Sequence, residues 1–250
     1  MSARFDPKAA ARWLLNARAS GPLCAGLPVG PAGVDDAYAV QAEVMRQLGG
    51  RVSWKMALLG GKDRQTAAMP ASEVFYSGAT LTGLPPDAAI EVETALMLGA
   101  DLQPGCTIDA ALDAVGQVRL AFEIIGSRFA DRATVSPLEA MADSFSSAGI
   151  VLGDAIPDWR KALEHPLNLA LVLDDRPVTA TEQWLSLNET ANFLRWLATH
   201  AAQQGMPLCA GTVIITGARI GPIPLSGVRA AVARSEAAQV RVALSDHVLV

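Results

Sequence analysis

Cysteine is nearly missing: Cys24, Cys106 and Cys209 are odd in number, far apart and in no CxxC or Cys/His spacing. That excludes a disulfide framework and a thiolate zinc site, and it fits a reducing, cytoplasmic setting. Histidine is as scarce. His165, His200 and His247 stand in no His/acid motif, so the imidazole-activated water of many hydrolases is not offered, and each reads as a surface imidazole. Aromatic residues make up 5% and charged residues 18% against 51% hydrophobic, the profile of a compact globular chain rather than a disordered or fibrous one. Basic residues are the minority, 20 against 25 acidic, giving a net charge of −5 and a pI near 5.2. With no Lys/Arg cluster to reverse that sign, a nucleic-acid partner is excluded. No run approaches the ~18 apolar residues of a membrane-spanning helix. The opening MSARFDPKAAARWLLNARAS breaks its apolar residues with Arg, Asp and Lys, where a signal peptide needs an uninterrupted stretch.

What the chain does have is length for a sizeable core, 250 residues, and a clear change of texture. Up to residue 50 it reads as helical: KAAARWLLNARA, then DDAYAVQAEVMRQLGG with Ala37, Val40, Val44 and Leu48 at helical spacing and Gly49-Gly50 as a stop, around the Gly/Pro loop SGPLCAGLPVGPAG. From Arg51 onward come short β-like runs: RVSWKMALL, AIEVETALML, GQVRLAFEII, LNLALVLDD, TVIITG and AQVRVAL. Helices are predicted over SPLEAMADSFSSAG, DWRKALEH and SLNETANFLRWLATHAAQQG, the last opened by Ser186 and Glu189 in capping-box spacing. Strands with occasional helices and no regular βαβ alternation indicate an α+β fold. Trp184 and Trp196 read as core or interface anchors, and Ser146 and Ser147 as helix-end caps. LGGKD lacks the earlier Gly and the Ser/Thr of a phosphate loop.

The chemistry lies in misplaced charges. Residues two apart on a strand face the same side, so Glu91 and Glu93 project together from AIEVETALML, while LAFEII sets Glu123 between Phe122 and Ile124. A buried, unpaired carboxylate loses several kcal/mol of hydration, and three together repel one another. Two arrangements resolve the problem. Three oxygen ligands can converge on a hard divalent cation, Mg²⁺ or Mn²⁺, that keeps open positions for a substrate. Alternatively the strand is half exposed and Glu123 is paired with an Arg. Lys55, in VSWKMALL, is the mirror image: a buried ammonium that binds a substrate carboxylate or moves a proton, or a Lys reaching solvent from a strand edge.

The segments DDAYAVQAEVM, WKMALLGGKDRQ, EVETALMLGADL, FEIIGSRFAD, MADSFSSAGIVLG and AGTVIITGARIGPIPL, in this order and spacing, resemble the 2-hydroxypentadienoate hydratase and 4-oxalocrotonate decarboxylase family of the fumarylacetoacetate hydrolase superfamily, from about Lys8 to the C-terminus. The resemblance implies a mixed β-roll core over residues 79–250, a helical N-terminal region with the first strand and lid over 1–78, and a homo-oligomer. It implies Glu91, Glu93 and Glu123 as ligands of Mg²⁺ or Mn²⁺, Lys55 near a small 2-oxo acid or enol substrate, and Thr216 close to the substrate end. Asp143 and Arg128 match motifs whose role is catalytic or holds the loops. The implied activity is hydration of a 2-hydroxy-2,4-dienoate; the alternatives are decarboxylation of a 4-oxalocrotonate-type acid and a non-catalytic partner subunit. Departures surround the acids. Gly126 replaces Asp in Glu-x-x-Asp-Ser-Arg, ADNAS becomes Ala142 to Ser146 as ADSFS, Ala57 replaces the Gly of KIGL, Gly211-Thr212 replaces Gly-Asp, and Leu187-Asn188-Glu189 replaces Gly-His-Pro.

Overall fold

The computed structural model describes residues 4–20, 24–59, 63–183 and 186–245. Trp184, His247 and the Gly60–Lys62 part of LGGKD lie outside the described residues. Helices α1 (Pro7–Ser20) and α2 (Val34–Leu48) come first, then β1 (Val52–Leu59), β2 (Asp63–Pro70), β3 (Val74–Tyr76), β4 (Thr80–Leu81) and β5 (Ala89–Leu98). They are followed by α3 (Ile108–Asp113), β6 (Val115–Ile125), α4 (Pro137–Ala142), β7 (Ser147–Ala155), α5 (Trp159–Ala162), β8 (Leu167–Leu173) and β9 (Arg176–Gln183). The chain continues through α6 (Leu187–Gln203), β10 (Val213–Ile215), β11 (Ile220–Pro224), β12 (Ala230–Arg234) and β13 (Gln239–Leu244).

Two mixed sheets form the α+β body. The larger runs β2-β1-β10-β5-β6-β7-β3, with β11 also on β5; the smaller runs β4-β13-β12-β8-β9. They meet where β13 crosses β6 and β7. At that crossing a Cβ on Gly153 would lie 2.4 Å from the Gln239 carbonyl and 2.6 Å from Val240 Cβ, so only a residue without a side chain lets the sheets approach. β5 lies inside the large sheet, flanked by β10 and β11 on one side and β6 on the other, with residues of both its faces buried. This explains its near-continuous apolar run. Trp54, Ile90, Leu96, Leu120, Phe122 and Ile124 fill the core around it.

The helices cover sheet edges and faces. β2 would present a bare edge, but α2 supplies side-chain partners: the Ala68 N–H donates to Gln41 Oε1 (2.9 Å) and the Thr66 N–H to the Tyr38 hydroxyl (3.2 Å). Gln41 Nε2 donates on to the Met141 carbonyl, tying α4 to the same edge (2.6 Å). α6 begins with the predicted reciprocal cap of Ser186 and Glu189 and buries Ala191, Leu194, Leu197, Ala198 and Ala201 at helical spacing.

Three sequence readings are corrected. The helix expected over SPLEAMADSFSSAG stops at Ala142: Ser144, Phe145 and Ser146 take left-handed φ of 51°, 51° and 63°, and Ser147 opens β7. Neither Ser146 nor Ser147 therefore ends α4, whose C-terminal cap is Asp143; Ser147 instead follows a single 3-10 turn, Ser144–Ser146, with its N–H donating to the Ser144 carbonyl, and among the described residues its Oγ is buried without a hydrogen-bond partner. His200 is no surface imidazole. Its ring stacks on Trp196 (5.1 Å between centroids) and meets Tyr38 (4.2 Å) and Trp54 (6.2 Å), and burial pushes its pKa down. His165 is exposed as expected. The strands β2, β3, β4, β7, β9, β11 and β12 and helix α3 are additions, in segments such as DRQTAAMP, RPVTATEQ and AAVAR where Pro, Ala or charge mutes the β signal.

Candidate metal centre

The antiparallel register of β5 and β6 sets Glu91 directly opposite Glu123, with Glu93 two residues along and opposite Ala121. Like charges facing each other across strands destabilise the pair. Here the carboxylates converge further, one oxygen of each of the three residues lying within 4.8 Å of the others. Glu93 and Glu123 are fully buried and Glu91 is half-buried.

Lys55 reaches the cluster from β1. Its Nζ donates to Glu123 Oε1 at 2.8 Å and lies 2.7 Å from Oε2, an ion-pair distance without hydrogen-bond geometry at that second oxygen. Burial works against its ammonium, but Glu123, Glu93 and Glu91 outweigh it and hold the pKa above the ordinary lysine value. Among the described residues Lys55 is the one cation in an ion pair with these acids, and it does not balance three carboxyl groups. Burial, opposed by Lys55 and reinforced by Glu123, pushes Glu91 up to about 7, and burial with Glu123 pushes Glu93 well above the carboxylate range.

β10 is short, and its shortness shapes the rest. After Ile215 the chain leaves the ladder and rejoins β5 as β11, with Ile220 opposite Val92. The Thr216 N–H donates to the Thr94 carbonyl (3.1 Å) and the Arg219 N–H to the Val92 carbonyl (2.8 Å), so the bulge between them straddles Glu93. From it the Gly217 N–H donates to Glu93 Oε2 at 2.7 Å. Among the described residues, Glu93 Oε1 is buried with no hydrogen-bond partner. An all-oxygen donor set, an orphaned buried acceptor and carboxyl groups whose ionised forms burial disfavours are what a hard divalent cation satisfies. Glu91, Glu93 and Glu123 fit the ion the resemblance implies.

The structure thus brings together Glu91, Glu93, Glu123 and Lys55. Thr216 joins them through the backbone: its hydroxyl donates to the Thr94 carbonyl (3.0 Å), lies 2.7 Å from Thr94 Oγ1, and its link to the acids is the neighbouring Gly217 N–H. Asp143 does not join. It caps α4 at its C-terminal end, where its carboxylate binds Arg128 Nε and accepts from the Arg128 N–H (3.1 Å). Arg128 also donates to the carbonyls of Gly126 (2.7 Å), Ser147 (2.6 Å) and Asp143 (2.7 Å), closing the loop between β6 and β7. Arg219 was missed by sequence reasoning. It is 8% exposed, its guanidinium lies against Thr216 and Gly217, and burial pulls its pKa down while Glu93 pulls it up. The available signal was an arginine in the apolar run VIITGARIGPIP.

The departure at Gly126 has a steric reason. A Cβ there would stand 2.8 Å from Pro85 Cγ and 3.1 Å from Ala148 Cβ. Restoring the family residue as Gly126→Asp is therefore expected to destabilise the protein by about 1–3 kcal/mol through overpacking, measured as a lower urea midpoint at unchanged slope. A stability equal to wild type would mean that Pro85 gives way.

Known proteins resemble this chain in sequence and in fold. A 2-keto-4-pentenoate hydratase of Paraburkholderia xenovorans is 30% identical over 210 residues, covering 76% of this chain and 75% of that one. A 4-oxalocrotonate decarboxylase of a Pseudomonas species is 36% identical over 138 residues, 54% of this chain and 52% of that one. Among solved structures, 4-oxalocrotonate decarboxylase from Pseudomonas putida G7, complexed with magnesium and adipate, superposes with a TM-score of 0.77 at 21% identity, covering 96% of this chain and 97% of that one. No family model matches the chain. The chain belongs to the 2-keto-4-pentenoate hydratase and 4-oxalocrotonate decarboxylase family, whose members are lyases of the fumarylacetoacetate hydrolase fold.

Proposed function

We propose that the protein is a Mg²⁺- or Mn²⁺-dependent hydro-lyase that adds water to a 2-hydroxy-2,4-dienoate. The observation that carries this reading is the buried trio of Glu91, Glu93 and Glu123 with Lys55 at its rim. Bound by the three carboxylates, the cation would supply Lewis acidity to the carboxylate and C2 oxygen of a 2-oxo acid. The chain's own groups do the rest. The N–H of Gly217 holds Glu93 in place, and the aliphatic walls of β5 and β6 keep bulk water away, which strengthens every charge interaction inside. Lys55 Nζ is the proton-carrying group beside the acids. In its role the enol proton is relayed to C5 as the dienol becomes the conjugated 2-oxo acid; water oxygen then bonds to C4 and a proton to C3. Thr216, fixed by Thr94, would orient the substrate at the mouth of the bulge. A cytoplasmic location, consistent with three free cysteines, and assembly as a homo-oligomer belong to the same reading.

Decarboxylation draws on the same charge stabilisation at the C2 oxygen, and the 36% identical stretch favours it as the second reading. Supplying the metal-loaded protein with 2-hydroxypenta-2,4-dienoate and with 4-oxalocrotonate tests both. The expected result is loss of the dienol with formation of the 4-hydroxy-2-oxo acid. Release of CO₂ without water addition would replace the hydratase by the decarboxylase. Turnover of neither by a protein that holds the metal would favour a non-catalytic partner subunit.

A further inference from the structure

Resting on the reading of the three acids as a metal centre, we propose that Arg219 is a positioning residue for the ligand Glu93, acting through the peptide group between Thr216 and Gly217. The two halves of that peptide are engaged at opposite ends. Its carbonyl, Thr216 O, accepts from Arg219 Nη1 at 3.1 Å, and its N–H, on Gly217, donates to Glu93 Oε2 at 2.7 Å. Guanidinium, peptide and acid therefore form one line of hydrogen bonds that runs from a positive charge to the side chain that would ligate the cation. Each bond in such a line polarises the next.

Arg219 is built for this place. Its N–H is tied to the Val92 carbonyl of β5, on one side of Glu93, while Thr216 is tied to Thr94 on the other. From there the side chain folds back into its own bulge. Nη1 also donates to the Gly217 carbonyl, and Nη2 donates to the hydroxyls of Thr216 (3.0 Å) and Thr94 (3.4 Å). Both carbonyls of the turn are thereby drawn toward the guanidinium, which leaves the Gly217 N–H facing Glu93. Among the described residues, no carboxylate forms an ion pair with Arg219. A buried guanidinium without one is costly unless a negative field lies nearby, and Glu93 is one peptide away. Holding Oε2 by this line frees Oε1, the buried oxygen without a partner, as the atom for the cation. Groups that orient a metal ligand from behind in this way commonly set affinity by about 10–100-fold.

The test compares wild type with Arg219→Met and Arg219→Lys, each stripped of metal, by calorimetric titration with Mn²⁺ alone. The Gly217 amide proton is followed by NMR in the metal-free proteins. Arg219→Met is expected to weaken Mn²⁺ binding by about 10-fold or more. It should also move the Gly217 amide proton upfield from the position that a short bond to a carboxylate gives it. Arg219→Lys keeps the charge and one donor, and it is expected to recover part of both effects; it carries the comparison if the Met variant does not fold. Affinity within twofold of wild type in a folded variant, or an unmoved Gly217 resonance, overturns the role of Arg219 alone. Wild-type protein that binds no Mn²⁺ overturns the metal centre, and this inference with it.

Discussion

Replacing Glu93 with Gln yields a protein that folds but no longer holds a divalent cation, with affinity down by at least ~100-fold and turnover lost. Glu93 is fully buried beside two other carboxylates, so the neutral amide removes repulsion without removing volume. Burial and Glu123 hold the Glu93 pKa well above its unfolded value, and Glu91 is raised to about 7. Between the unfolded and folded pKa values the folded state binds more protons than the unfolded state. Stability contributed by these groups is present at acid pH and lost as pH rises through that window. Gln cannot lose a proton, so in chelator the variant should outlast wild type in urea by a margin that grows from pH 5 to pH 8. Added Mg²⁺ should rescue wild type alone. Equal Mg²⁺ affinity in the two proteins would remove Glu93 from the site.

Asp143→Ala is expected to cost about 3–5 kcal/mol of stability, the usual penalty for stranding one member of a buried ion pair. Asp143 and Arg128 are 3% and 5% exposed, so water cannot replace the lost carboxylate. The same carboxylate anchors the turn into three left-handed residues, Ser144 to Ser146, which only surrounding contacts can maintain. One such contact, from Ser144 Oγ to the Ala68 carbonyl (2.7 Å), ties this loop to β2 beside β1, the strand that carries Lys55. Replacing both partners with apolar residues should cost less than the sum of the single changes, because no charge is then left alone. Urea denaturation of the metal-free variants measures it. A residue acting in the reaction itself would give the opposite pattern, near-normal stability with turnover lost.

Charge in the wrong place was the legible part of this sequence. Glu91, Glu93, Glu123 and Lys55 stand out because apolar strands rarely carry ionised groups, and the structure gathers all four. Long periodic segments were legible too: β5 and β6 match AIEVETALML and GQVRLAFEII to within a residue, and α6 carries its predicted cap. What stayed hidden depends on partners distant in the chain. β2 is a strand because α2 and β1 supply its hydrogen bonds, not because DRQTAAMP favours one. The helix expected through Ser144 was cut short by Asp143, whose carboxylate is held by Arg128 fifteen residues earlier. Arg219 sat in an ordinary-looking turn, and its meaning appears only once the bulge between β10 and β11 is laid against Glu93.

Calorimetric titration of the metal-stripped wild-type protein with Mg²⁺ and Mn²⁺, in the presence and absence of oxalate, probes the carboxylate trio most directly. Saturable binding of one ion per chain, tightened by oxalate as a mimic of the chelating end of a 2-oxo acid and lost in Glu93→Gln, is the predicted result. Binding that is absent, or that is indifferent to both oxalate and Glu93, would contradict it.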